Sequence, residues 1–475
     1  MPGDTSGVGS PTRRRPGDAF DRRPPGSSEK NIDRQGWISP FFRNPPVCQD
    51  FAGNPSGFRP FGHARPGSRW RRPVVAMVAP PANLMETIMK TLFGLDAGKG
   101  LLAAMAAALL ASTAMLPLAG AAAQDARYPD ARPMAFRFPS PPQSALRHTP
   151  NPLAQWNGSF VDQLSNTVTF TMVGTPPSSN TTTHVRVLII PIKMSYGISN
   201  GGPHTFDPNV DTVNASTATV TANILASPLF HPTSFAPQEP PCAPGCAHLG
   251  NRQYVDAFQR GNFWSTAGAS YHVKFSPVVV EPEQAITVTQ AEGSIIANPF
   301  GGSSMVGTMN LAAFDAKLQT FLSGIAAVHP NVLPVFVTDN IYLTSGGCCV
   351  AGYHTTATIG SAVQTYAYST YVVSPTPVFA EDVSQLSAQL ANWMDDPFVN
   401  NRVNCTSYSI LEVGDPTLAG ANAANNYNSY PYTLGGFTYN LQSLAYNSYF
   451  GAPASGSANS WYAIQDDISA VCPPQ

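Results

Sequence analysis

Lysine nearly vanishes after residue 123, leaving only Lys193, Lys274 and Lys317. Arginine adds little: beyond that point 11 cationic side chains face 20 aspartates and glutamates, a formal charge of −9. A phosphate backbone demands clustered cations, so this part has no nucleic-acid partner. After residue 123 no apolar run is long enough to cross a bilayer, so no transmembrane segment is expected once a signal peptide is cleaved. Equally missing are His-Glu-x-x-His, a Gly-x-Ser-x-Gly elbow and a phosphate-binding Gly-Lys-Ser/Thr loop. A Ser/His/Asp triad stays open, because geometry and not chain order defines it. No repeat of fixed period occurs either.

The 475 residues would suggest two or three domains, but the first part of the chain reads as processing sequence. Residues 89–123 have the form of a secretory signal peptide. Met89-Lys-Thr is followed by an apolar run from Leu101 to Leu118, and Ala121-Ala122-Ala123 precedes Gln124. Residues 1–88 form a leader rich in Arg, Pro and Gly without periodicity. It is expected to be disordered and to reflect a mis-called start, with Met85 or Met89 as the true one; a basic nucleic-acid-binding tail is the alternative. Export to a secreted or periplasmic location follows, and residues 124–155, bearing Pro and Arg, read as a linker.

Cysteine usage agrees with export. With Cys48 in the leader, Cys242, Cys246, Cys348, Cys349, Cys405 and Cys472 remain, an even set that an oxidising compartment would pair. Six cysteines allow about 15 pairings, which sequence cannot rank. Cys242 and Cys246 can close on each other, or bind zinc with His248, although three donors fall short of a closed zinc site. Vicinal Cys348 and Cys349 can form a ring, but pairing of each with a distant cysteine is the expectation.

Residues 156–475 read as one α/β (α+β) domain with interleaved strands and helices. Val168–Val173 alternates, and Val185–Ile192 is apolar enough for a central strand buried on both faces. Tyr271–Val280, Leu333–Leu343 and Thr365–Val373 are further strands. Helices are expected at Asp211–Ala226, Arg252–Trp264 and Leu311–Ile325. Another is expected at 381–396, where Asp382 or Ser384 can cap and Val383, Leu386, Leu390 and Trp393 share a face. Beyond Pro397 the chain becomes rich in Asn, Tyr, Gly and Ser, with Leu441–Phe450 the one helical stretch.

Three blocks carry a resemblance: Cys348-Cys349-Val-Ala-Gly-Tyr-His354, Leu386 to Phe398, and Leu411-Glu-Val-Gly-Asp-Pro416. Their order resembles a family of exported bacterial zincin-like, metallopeptidase-type proteins. The family pattern runs Cys-Cys-x-x-Gly-Tyr-His, Leu-Ser-His-Glu-x-x-Glu-Trp-x-Asp-Asp-Pro, Leu-Glu-Val-Gly-Asp-Pro. A more distant likeness is to plant exordium-type secreted proteins. The resemblance covers most of 185–465, including Tyr254 to Trp264, and implies a zincin-like domain with a mixed sheet and a metal-site helix. Carried over, Ala388 holds the first ligand position, Gln389 the general-base position and Asn392 the second ligand position. Glu412 stands as a third ligand, and Asn440 and Ser443 occupy places where the family carries His and Glu. Of the metal positions only Glu412 is a good donor, since alanine cannot bind zinc and an amide is no base.

The expectation is therefore a degenerate site: an exported binding or surface protein without catalysis or cofactor, recognising an extracellular protein or glycan. A second reading is an active zinc peptidase that recruits Glu412, His354, Asp396 and Asp415, with zinc-bound water attacking a carbonyl. A third is a cell-wall or carbohydrate-binding protein, suggested by the Tyr/Asn-rich tail. Structural roles compete with each: Glu412 pairing with Arg402, Asp395 and Asp396 capping the turn after their helix, and His354 as a core histidine.

Overall fold

The computed structural model describes residues 136–474 except 151, 214–216, 236–250, 264–265, 267–271, 301–303, 374–380, 407–408, 419–428, 454–461, 465–467 and 469–470. All described residues belong to one compact unit. The leader, the signal segment, Cys242, Cys246 and His248 lie outside them.

In chain order the elements begin with α1 (Gln143–His148), β1 (Gln155–Val161), β2 (Thr167–Val173), β3 (Thr183–Tyr196), β4 (His204–Phe206) and α2 (Val220–Ala226). Then come β5 (Thr233–Ser234), β6 (Asn251–Arg252), α3 (Tyr254–Asn262), β7 (Val273–Val279), β8 (Gln284–Val288), β9 (Gly293–Ala297), β10 (Met305–Asn310) and α4 (Leu311–Gly324). The rest are β11 (Val332–Asp339), β12 (Ile341–Thr344), β13 (Cys348–Val350), β14 (Gly352–Ile359), β15 (Ala362–Tyr371), α5 (Ser384–Asp395), α6 (Asp415–Leu418), β16 (Ser429–Leu434) and β17 (Phe437–Gln442). The fold is α+β.

β3 is the axis of a seven-stranded mixed sheet. It pairs in parallel with β7 and β8 along one edge and with β11 along the other, and β11 leads through parallel β15 to antiparallel β14. A strand alternates its side chains between faces, and β3 needs apolar residues on both. Val185, Val187 and Ile189 enter one core, while Leu188, Ile190 and Ile192 enter the other. The first core holds α3, α5 and the β1–β2 hairpin; the second holds Leu311, Phe314, Leu318 and Leu322 of α4. A separate four-stranded sheet runs β13-β12-β10-β9.

Four expectations are corrected. The helix expected from Asp211 shrinks to α2, because Thr212 and Thr219 bridge across a loop and the Thr219 hydroxyl caps the helix by accepting from Ala222 N. The strand expected over Leu333–Leu343 is two: Asn340 turns the chain with φ +52°, a conformation that Asn tolerates, and sends β12 into the smaller sheet. The Leu441–Phe450 helix is absent: Tyr439 and Leu441 alternate inward on β17, and Ala445 then bridges Ala463. Cys348 and Cys349 pair with each other, not with distant cysteines, since Cys405 and Cys472, the other described pair, join across 67 residues. The buried vicinal pair packs with Ile296, Val306, Tyr342 and Val372.

Part of the segment expected to be a linker is seated on the domain. Phe136 and Phe138 pack against the α4-side core, Leu153 N donates to Pro330 O at 3.1 Å, and Val363 N donates to the Thr149 hydroxyl at 2.9 Å. Among the described residues no helix is long and apolar enough to cross a membrane.

Candidate functional site

Helix α5 positions the site, and its surroundings explain its composition. All residues from Ser384 to Asp395 are buried. The stripe of Leu386, Leu390, Trp393 and Met394 fills the first core, yet the opposite face is also covered, which accounts for its small and amide side chains. Val383 occupies the N-cap without a side-chain cap, so neither Asp382 nor Ser384 plays the expected role. The Asp382 carboxylate instead accepts Val383 N and both nitrogens of Asn440 on β17. Asn440 is thereby tied to the start of the helix, and Ser443 is buried.

The turn carrying Glu412 and Asp415 lies directly on α5. Gly414 makes this close approach feasible: a Cβ there would stand 2.8 Å from the Ala388 Cβ and 3.2 Å from Asn392 Oδ1. Gly414 N donates to Asn392 Oδ1 at 2.6 Å, and Asn392 Nδ2 donates to Asp415 Oδ1 at 3.4 Å. On β14, Gly352 plays a matching part, its missing Cβ lying 3.0 Å from Gln389 Cγ. His354, two residues on, uses Nε2 to donate to the Asp396 carbonyl at 2.9 Å. Burial lowers its pKa, against the opposing pull of the Asp396 carbonyl and Gln389, so the ring is neutral.

Ala388, Gln389, Asn392, Glu412, Asp415, Asp396 and His354 thus come together, all buried. The residue that organises them is Arg137. Its Nε donates to Glu412 Oε2 at 3.0 Å and its Nη2 to Asp415 Oδ2 at 2.8 Å. Burial alone would lower the guanidinium pKa, but the two carboxylates outweigh it and the net shift is upward. Glu412 and Asp415 also hydrogen-bond each other; burial raises both, Asp415 well above its ordinary value with Glu412 adding to the rise. Two like charges this close share a proton. The pair therefore titrates as a unit, with the Arg137 guanidinium drawn across it.

Arg402 is not the partner of Glu412. It is exposed between buried Asn401 and Val403 on an extended segment, so it points outward, and its charge acts instead on Asp396. Asp396 Oδ1 caps the next turn, accepting Asn400 N at 2.8 Å and Asn401 N at 3.0 Å, while Oδ2 has no hydrogen-bond partner. Asp395 accepts Gln259 Nε2 with Oδ1 and likewise leaves Oδ2 unpartnered. Burial pushes Asp395 up to about 8 and Asp396 up to about 7.

The donor set does not fit zinc. Alanine and two amides stand on the helix, His354 is engaged by a carbonyl, and a guanidinium lies across the two carboxylates that could bind a cation. Among the described residues no group of three or more His, Cys, Asp or Glu is arranged to hold a metal ion. Sequence reasoning missed Arg137 because it stood in an apparent linker. The available signal was an arginine flanked by Phe136 and Phe138 in a stretch short of cations. No family model, curated protein or solved structure matches the chain.

Proposed function

We propose that this chain is an exported zincin-like protein with a degenerate metal site, acting by binding and not by catalysis at a secreted or periplasmic location. One observation carries the reading: the Arg137 guanidinium bridges Glu412 and Asp415 beside Ala388, Gln389 and Asn392. A zinc peptidase needs open coordination, a metal-bound water and a general base. Here the base position is an amide, and the carboxylates are already neutralised from within the chain. A divalent ion entering would have to expel a cation from a salt-bridged site.

Metal analysis of the purified mature protein, followed by zinc titration calorimetry, tests this. The expected result is zinc far below one equivalent and no high-affinity binding. One tightly held equivalent would overturn the proposal in favour of a peptidase using Glu412, Asp415, His354 and Asp396.

A further inference from the structure

We propose that the Glu412–Asp415 pocket is a receptor for arginine-bearing aromatic peptides, with residues 136–140 of the same chain filling it as a tethered ligand. This deepens the binding-protein reading and rests on it. The pocket's geometry selects a guanidinium. Its two carboxylates take separate nitrogens of one side chain, a fork that the planar guanidinium matches and the point charge of an ammonium does not.

The arm is held as a ligand would be. Residues 136–142 form neither helix nor strand. Side chains read it: Phe138 packs on Tyr353 with ring centroids 4.9 Å apart, Phe136 packs on Phe138 at 5.0 Å, and the Ser140 hydroxyl donates to Val399 O at 2.6 Å. A separate peptide can present the same groups. The Arg137 side chain keeps 31% exposure over carboxylates that keep 5%, so the pocket opens to the surface at the arginine end.

Asp396, gathered into the same site, is 0% exposed and its Oδ2 has no hydrogen-bond partner. In cis the arm has an effective concentration on the order of millimolar, so free peptide meets a masked site in the unaltered chain.

The test uses the mature chain carrying Arg137→Ala and a blocked synthetic peptide of residues 136–140, with versions bearing Lys or Ala in place of the arginine. Calorimetry should show binding of the arginine peptide, at least about tenfold weaker binding of the lysine peptide and none of the alanine peptide. The unsubstituted chain should bind the arginine peptide at least about tenfold more weakly than the variant. A folded variant that ignores the arginine peptide, or binds all three alike, overturns the inference. Should Arg137→Ala not fold, Phe138→Ala loosens the arm with the arginine kept. Added arginine peptide must then raise its melting temperature above that reached with the alanine peptide, and equal melting temperatures overturn the inference. A zinc-free protein that ignores the peptide sinks only this inference, whereas a stoichiometric zinc protein sinks the reading beneath it.

Discussion

Gly414 shows how a missing side chain fixes the site. The turn from Glu412 to Asp415 reaches Arg137 only because its backbone lies against Ala388, with Gly414 N bonded to Asn392 Oδ1. Gly414→Ala would place a methyl 2.8 Å from the Ala388 Cβ, inside ordinary contact, where both partners are backbone-anchored and neither can swing away. Overpacking of this kind costs about 1–3 kcal/mol. Gly324→Ala, with nothing within 4 Å, is the matched control and should be neutral or slightly stabilising. Denaturant unfolding of the two variants checks this; equal stabilities would show that the turn yields freely. The same contact bears on installing a metal ligand at this position, because a histidine at 388 would have to displace Gly414. That Ala388, Gln389 and Asn392 offer no strong metal donor was legible residue by residue, whereas the packing around them was not.

At the scale of elements, α5 behaves as a core helix in spite of its amphipathic sequence. Leu390 is 0% exposed and sits in the stripe against the first core. Leu390→Ala should cost about 2–5 kcal/mol, the range for a fully buried leucine whose cavity cannot collapse. A chemical-denaturation midpoint unchanged from that of the parent would show that the helix is not packed as described. The stripe could be read from spacing, as could β3, α3 and α4, because long periodic patterns report burial directly. What spacing could not report is the cover on the polar face. Ser387, Gln389 and Asn392 look solvent-facing by residue type, yet β17 and the Glu412 turn bury Ser387 and Asn392 through hydrogen bonds to partners up to 55 positions away, and β14 packs Gly352 against Gln389. Long-range pairing of this sort also explains the failed helix at Leu441–Phe450. Its apolar residues suit either period, and the β16–β17 ladder together with the Ala445–Ala463 bridge decides. The break at Asn340 had a local cue in its Asp-Asn pair, which apolar continuity concealed.

Over the whole molecule, the notable electrostatic property is how many carboxyl groups are buried in a chain short of cations. Burial pushes Asp382 and Asp395 up to about 8, Asp396 up to about 7 and Asp256 up to about 6. Each of these is raised above the 3.8 of an ordinary aspartate, so between the two values the folded state holds a proton that the unfolded state has released. By linkage their stabilisation is fully present below about pH 4 and fades as pH rises through the folded values. Two histidines act oppositely. Burial lowers His272 to about 3 and also lowers His354, so acid favours the unfolded state below 6.5, while above it they are silent. From pH 6.5 to 8.5, then, the carboxyls alone set the slope, and stability should fall. Each carboxyl contributes on the order of 1 kcal/mol for every pH unit over which only the folded state is protonated. Melting temperatures across that range should therefore drop, and Asp382→Asn combined with Asp395→Asn should flatten the drop, since a neutral amide keeps the size without the titration. A melting temperature that is level or rising between pH 6.5 and 8.5 would mean that these carboxylates ionise in place, with water or counter-ions reaching a core that the fold closes.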